Sequence, residues 1–546
     1  MKMGEFTMRP WVSWTALFLA YLFIIAFAPT PSITMEITSE NRHVPDIPIP
    51  QTPPCPEGSD CAQAHPCDPS KPYSTPIIEE EWNATGAFRI FSSPNLIDLN
   101  GDGTLDVVNG MGIEEEQVGG VIALDGKDGA HLWQSNANAE LFATAQFNDL
   151  NQDGTEDVIL GGRGHQLLAM DGLTGDTIWT FDDANEGNGF TTSNWFQFYT
   201  GQFIADRDGD GVHDWLTANG GDPSKGPGEE RHGGFMMIIS GATGKIIAHA
   251  DTPDGRETYM SPIVYKPHAE MDTEILFGTG GETFDGGLWS TSIEDIESGD
   301  ISNSVMLIEP IEGVEKGVMA PPAIADVTND GILDIIAPTF DGRVVAIDGR
   351  NYSDIWTINV KEHALEGDST DVESYASPAI GYFTNDSIPD VFVHFVIGAF
   401  PDYSASTSLM IDGLNGEILW KNDSTHNGFT SPLAVDMNAD GRDEILMIRG
   451  GGQMFENDGS MSFYHDIEIL DSCTLEHVHL LRRDGMSIGT PTITDLDGDG
   501  ILDLITTDTT GYSSAGCTIL RWSLGIATPN EISWGAYLGT DNNGYF

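Results

Sequence analysis

The chain has 546 residues, more than one ordinary core holds, yet a repeat architecture can fill most of them without a second domain. Its 85 Asp and Glu against 23 Lys and Arg leave a formal net charge of −62. Such a surface repels phosphates and anionic headgroups, so nucleic-acid binding is the first function excluded.

At the N-terminus, Lys2 and Arg9 precede an apolar run from Trp11 to Ala28, after which the chain turns abruptly to Pro, Ser and Thr. Residues 1–28 read as a secretory signal or an uncleaved membrane anchor. Ala26-Phe27-Ala28 resembles a cleavage site, but Pro29 follows it directly, so release and tethering both stay open. Residues 29–86 are rich in Pro, lack periodicity and read as a semi-extended stalk. Cys55, Cys61 and Cys67 lie there at equal spacing, which suggests one local disulfide with a leftover thiol, while Cys473 and Cys517 could bridge the last two repeats.

From residue 87 to 546 the sequence repeats itself. The stretch from Ser93 through Asp98 to Val108 returns as Pro322 to Ile336 and as Pro491 to Ile505. Loop starts fall at 98, 149, 206, 266, 326, 382, 436 and 495, the units at Lys266 and Tyr382 being eroded. After each loop comes an apolar run and then a second pattern, as in Leu124-Asp125-Gly126 leading to Trp133, with counterparts leading to Trp179, Trp356 and Trp420. Short β-rich runs joined by Asp-Gly and Thr-Gly turns are hairpins, so each unit supplies about four strands, one propeller blade. An all-β propeller of eight blades is expected, or of seven if one eroded unit is an insertion. A β-solenoid or sandwich array suits units of this length less well.

The loops carry carboxylates at alternate positions, the arrangement by which a tight turn points several oxygens at a hard divalent cation. Five sets are complete. They are Asp98, Asn100, Asp102 and Asp106; Asp149, Asn151, Asp153 and Asp157; Asp206, Asp208, Asp210 and Asp214; Asp326, Thr328, Asp330 and Asp334; and Asp495, Asp497, Asp499 and Asp503. A sixth, Asp436, Asn438 and Asp440, ends in Glu444. The eroded units should be empty. About five or six Ca²⁺ ions are expected, acting as structural staples.

These motifs resemble the FG-GAP/VCBS repeat, the calcium-binding propeller unit of integrin α-subunits and many exported microbial proteins. The Asp-Gly-x-Thr-Gly…Trp halves resemble the tryptophan-docking repeats of quinoprotein-type propellers. The resemblance implies an exported, non-catalytic module for cell-surface adhesion or ligand recognition. The alternative is a propeller enzyme, either a calcium-dependent polysaccharide lyase or a quinoprotein-type dehydrogenase. The adjacent cysteine pair of quinone-dependent alcohol dehydrogenases is missing from the sequence. A lyase would need only a base and a cation, such as His426 with Arg256 or Lys316.

Upstream of the loops, Arg89, Arg256, Lys316, His426 and Arg483 recur near the expected channel mouth and form a candidate site for an anionic ligand. The partner would be an extracellular protein or glycan, with a membrane tether through residues 11–28 if they are not removed. The aromatic run Trp195 to Tyr199 could stack sugar rings or pack in the core. The final segment from Ser533 to Gly544 departs from the repeat and is expected to seal the ring against the N-terminal blade.

Overall fold

The apolar run that follows each aspartate loop becomes the second strand of a blade. Because neighbouring blades cover both its faces, it reads as a continuous hydrophobic stretch: Asp106–Gly112 and Gly119–Leu124 are buried at every position. The outermost strand of the same blade, His131–Ala137, instead mixes buried and exposed residues. A computed structural model describes residues 67–68, 70–71, 76–113, 116–188, 197–222, 225–226, 228–364, 371–400, 402–454, 461–509 and 516–546. The apolar segment 11–28, Cys55, Cys61, Trp195 and Phe196 lie outside them. Among the described residues no helix is long and apolar enough to cross a membrane.

Eight antiparallel sheets form an eight-bladed β-propeller with almost no helix. Both eroded units are complete blades, so the seven-bladed alternative falls. Six sheets have four strands; blades three and six have five because their innermost strands are split, for example into Gln197–Phe198 and Gln202–Ile204. Each innermost strand ends at its aspartate loop, so the loops and the Asp-Gly turns share one face, here the aspartate face. The hairpins between second and third strands and the long connections between blades share the opposite face.

Adjacent blades are locked by tryptophan. Trp133 of blade one donates its indole N–H to the carbonyl of Gly172 in blade two at 2.7 Å; Trp179 does the same to Gly241 and Trp356 to Gly413. The ring lies so close to Gly175 that a Cβ there would come within 2.6 Å of it, and the φ of +71° also favours glycine. Each dock thus combines a buried aromatic surface with a satisfied indole donor.

The ring is closed by a segment expected to be stalk. Glu79–Gly86 pairs with Cys517–Ala527 and supplies the outermost strand of blade eight, and its Trp82 docks on Gly126 of blade one at 2.7 Å. The C-terminal segment, expected to seal the ring against blade one, instead occupies the axis. Trp534 bridges Ala434 of blade seven, Gly535 accepts from Ile493 of blade eight, and Asn543 accepts from Gln202 of blade three. Tyr545 accepts from Lys266 of blade four and pairs with Ile324 of blade five. Phe546 meets Tyr382 of blade six at 5.4 Å, and Asn542 reaches blade one through Asn95. The tail therefore touches seven blades, because its apolar side chains find their burial in the channel rather than at a sheet edge.

The expected bridge between Cys473 and Cys517 is corrected, and Cys67 is neither part of a local disulfide nor a leftover thiol; a bridge between Cys55 and Cys61 lies outside the described residues. Cys67 is bonded to Cys473, across a sequence separation of 406, and Cys517 is a buried free thiol. The pairing is distant in sequence because Cys67, Asp68 and Lys71, upstream of the closing strand, lie against blade seven, which no local spacing reveals.

Candidate functional site

On the aspartate face, the first loop shows how the repeat is built. Asp98 accepts from the backbone N–H groups of Gly101, Asp102 and Gly103, and Asp102 accepts from Thr104. Asp106, expected to close a cation shell, is fully buried; it accepts from Leu99 at 2.9 Å, from Asn100, and from Gly126 of the following turn at 3.1 Å. Asp157 and Asp334 repeat this pattern, as does Asp390 of the eroded blade six, whose cation set is incomplete. The ninth-position carboxylate is thus first a fastener between loop and turn. Burial pushes Asp106 up to about 6 and Asp157 to about 7.

Among the described residues, three loops gather carboxylate oxygens closely. These are Asp206 with Asp208 and Asp210, Asp495 with Asp497 and Asp503, and Asp440 with Glu444 and Asp471.

The loops of blades two and five depart from the expected ligand sets, because their polar side chains are turned to partners within the protein. In blade two Asp149 is bonded to the loop backbone. Asn151, expected as a cation ligand, instead donates its amide to Asp157 at 3.3 Å and to Asp171 at 3.2 Å. Its amide oxygen accepts from the Asp153 N–H at 2.8 Å. Asp153, also expected as a ligand, turns back to accept from the Thr155 N–H at 2.9 Å. In blade five Asp326 is likewise bonded to the loop backbone. Thr328, expected as a ligand, donates its hydroxyl to Asp334 at 3.2 Å. Asp330 is drawn to the guanidinium of Arg350 at 2.7 Å and accepts from the Ile332 N–H at 2.9 Å. None of Asn151, Asp153, Thr328 and Asp330 belongs to a close gathering of carboxylate oxygens.

In blade eight, Arg521 fills the space between Asp497 and Asp503. Asp499 there accepts from Ile501 and takes no part in the gathering. Asp436 and Asn438 of blade seven accept from Asp440 and Gly441, and Asp214 from Arg207 and Gly241. A cavity of about 1380 Å³ opens on this face between blades two and four, with Tyr545 of the tail in its lining.

On the opposite face, all five expected cations are engaged. Lys316 pairs with buried Glu373 at 2.5 Å, Arg483 with Asp508 at 3.0 Å, and Arg256 with Asp285. His426 meets Tyr464 at 2.8 Å, and Arg89 lies over Phe91 at 5.5 Å. Offsetting neighbouring carboxylates is what most of these cations do, and nothing brings the five together as one anion cradle.

What the repeat does bring together is aromatic. The residues seven positions before the loop starts are Phe91, Phe142, Tyr199, Tyr259, Met319, Tyr375, Phe429 and Ile488, a large side chain in every blade and an aromatic in six. Each is half-buried. They precede the strands that line the channel and so form a collar around its mouth. Phe142 meets Tyr199 edge to face at 5.1 Å, Tyr199 meets Tyr259 at 5.9 Å, and Tyr375 meets Phe429 at 5.3 Å. Of the expected aromatic run, Tyr199 is in this collar, whereas Phe198 is fully buried.

Charge pairs brace the collar from behind: Arg163 with Glu140 at 2.6 Å, Arg231 with Glu257 at 3.2 Å, and Lys316 with Glu373. The Tyr375 hydroxyl donates to Glu282 at 2.8 Å and meets that of Tyr403, which donates to Glu373 at 2.5 Å. Burial pushes Glu282 up to about 7. Tyr537 of the tail reaches Ser261 at 3.1 Å, two residues past Tyr259, and floors the channel beneath the collar. The missed signal was available: Glu257-Thr258-Tyr259 and Glu373-Ser374-Tyr375 are the same pattern before the same Ser-Pro step.

The PQQ_2 family model, described as outer membrane protein assembly factor BamB, matches residues 98–261. This corrects the FG-GAP/VCBS resemblance: the matched span contains three aspartate loops, but also the Trp133 and Trp179 docks. The match covers less than half of the chain. No curated protein matches. Among solved structures, a quinohemoprotein alcohol dehydrogenase from Comamonas testosteroni is similar at 12% identity, covering 83% of this chain and 78% of that one, with a TM-score of 0.53. A quinohemoprotein alcohol dehydrogenase from Pseudomonas putida HK5 is similar at 12% identity, over 83% and 77%, with a TM-score of 0.52. A europium-containing methanol dehydrogenase is similar at 13% identity, over 82% and 93%, also at 0.52. At such identities the likeness shows the shared propeller fold.

Proposed function

We propose that this chain is an exported, BamB-like recognition propeller that binds a neutral, ring-bearing ligand, a glycan, on its aromatic collar. The observation that carries this reading is the recurrence of a half-buried large side chain at one repeat position in all eight blades, six of them aromatic. Core packing alone would bury those rings, whereas stacking faces left partly open suit flat apolar sugar surfaces. The cations around the collar are neutralised by Glu140, Glu257 and Glu373, which moves the ligand class from anionic to neutral. The Cys67–Cys473 disulfide supports an oxidising compartment outside the cytoplasm. Ca²⁺ on the aspartate face would be structural. Cell-surface adhesion, implied by the integrin-like resemblance, falls with that resemblance.

The solved neighbours favour a second reading, a quinoprotein-type dehydrogenase, over adhesion. A quinone cofactor bearing carboxylates would need unneutralised cations, and Arg163, Arg231 and Lys316 are each held by a carboxylate. These residues do not fit such a group.

Saturation-transfer NMR of the full chain against neutral and acidic oligosaccharides tests the proposal. Neutral sugars should show contacts that Tyr259→Ala and Tyr375→Ala abolish. Binding untouched by both substitutions would overturn the collar as the site, and a quinone absorption band retained through gel filtration would favour the dehydrogenase.

A further inference from the structure

We infer that blade seven holds a hard divalent cation on Asp440, Glu444 and Asp471, and that the Cys67–Cys473 disulfide is the lid of this site. The inference rests on reading the aspartate loops as cation sites but names a different ligand set, since Asp471 comes from the turn after the third strand. One carboxylate oxygen of each residue lies within 4.8 Å of the others. That is the span of two oxygens on opposite sides of an ion bonded at about 2.4 Å. All three residues are buried, Asp440 at 4% exposure and Glu444 and Asp471 at 0%.

Most of their oxygens are already fixed. Asp471 accepts from the Cys473 and Thr474 N–H groups at 2.8 and 3.0 Å and from the Thr474 hydroxyl at 2.8 Å. Asp440 accepts from Arg442 N–H at 3.0 Å and from the Asn438 amide at 3.3 Å, and Glu444 Oε2 accepts from Met437 at 2.6 Å. Glu444 Oε1 is left, buried and without a hydrogen-bond partner in the protein. A buried orphan oxygen beside two other carboxylates is costly, and an ion satisfies all three at once. The oxygen donors select Ca²⁺ or a similarly hard ion.

The lid follows from what crosses the loop. The sulfurs of Cys67 and Cys473 lie within the same 4.8 Å span of the Asp440 carboxylate. Asp68 N–H donates to the Asp440 carbonyl at 3.2 Å, and the Lys71 ammonium to the Ala439 carbonyl at 2.5 Å. An ion beneath this cover leaves slowly.

The test uses the full oxidised chain loaded with Ca²⁺, counting ions by elemental analysis and following their release to a chromophoric chelator. One ion per chain should leave in a slow phase that Glu444→Gln abolishes with the loss of one ion. Cys67→Ser/Cys473→Ser should speed that phase on the order of tenfold. Without cation, Glu444→Gln should melt above the parent, because an amide in place of the partnerless Oε1 can donate to the facing carboxylates; with Ca²⁺ it should melt below. A full ion count in Glu444→Gln, with ions bound elsewhere, overturns this site and leaves the loops reading intact. A parent that binds no Ca²⁺ overturns both, and a slow phase unchanged in the double-serine variant removes the lid. If Glu444→Gln fails to fold, Asp471→Asn carries the same ion count.

Discussion

In blade eight the guanidinium of Arg521 lies between two loop carboxylates, donating to Asp503 at 3.0 Å through both Nε and Nη2 and to Asp497 at 2.6 Å, with 5% of its surface exposed. A tethered cation takes the place where an ion would sit, so this blade needs none. Arg521→Gln should cost about 3–5 kcal/mol in denaturant unfolding, because it strands buried carboxylates. It should also make the blade responsive to Ca²⁺, recovering part of that loss, which the same unfolding curves would show. Glu282 sets a pH dependence behind the collar. Burial raises it from 4.5 to about 7, so the folded chain holds this proton more tightly than the unfolded one. That stability is full below about pH 4.5 and is lost as the pH rises through 7. Thermal melts between pH 5 and 8 should therefore fall less steeply for Glu282→Gln than for the parent.

At the scale of the element, the decisive unit is the dock between one blade's outer strand and the next blade's turn. Trp133→Ala removes a buried ring and should cost about 3–5 kcal/mol, whereas Trp133→Phe keeps most of the packing, loses the bond to Gly172 and should cost about 1 kcal/mol. Equal losses in equilibrium unfolding would mean that the hydrogen bond, not the ring, holds the blades. The closing strand obeys a different logic. Deleting residues up to Gly86 uncovers the edge of Cys517–Ala527, and the expected outcome is self-association visible by light scattering.

For the whole molecule, the axial tail is the common contact of seven blades. Truncation before Ser533 should lower the thermal midpoint by several degrees and broaden the transition, since blades that shared one hub would then melt with less cooperation. An unchanged midpoint would show that the blade docks suffice. Calcium acts at the same scale: if ions bind the folded loops alone, chelator should lower the midpoint and millimolar Ca²⁺ restore it.

The eight-bladed fold was legible because its signals are local and repeated. Asp-Gly turns, short apolar runs and a fixed unit length each depend on residues close in sequence, and eight copies make them unmistakable. The collar was legible in the same way, at seven residues before each loop, although the rare cations mostly two or three positions further upstream are the more conspicuous signal in so acidic a chain. The FG-GAP/VCBS resemblance misleads because metal-loop aspartates stand out in sequence, while the Trp–Gly docks that join blades involve residues 39 to 62 apart. Spacing placed Asn151, Asp153, Thr328 and Asp330 at ligand positions, yet it could not show that Asp171 and Arg350, from the following turns, would engage two of them. Nothing local could show that Cys67 meets Cys473, that Glu79–Gly86 completes blade eight, or that the tail turns into the axis. Nor could it show that Arg521 neutralises one loop while Asp471 joins another. Those outcomes depend on which surfaces the closed ring leaves uncovered, and only the assembled propeller decides that.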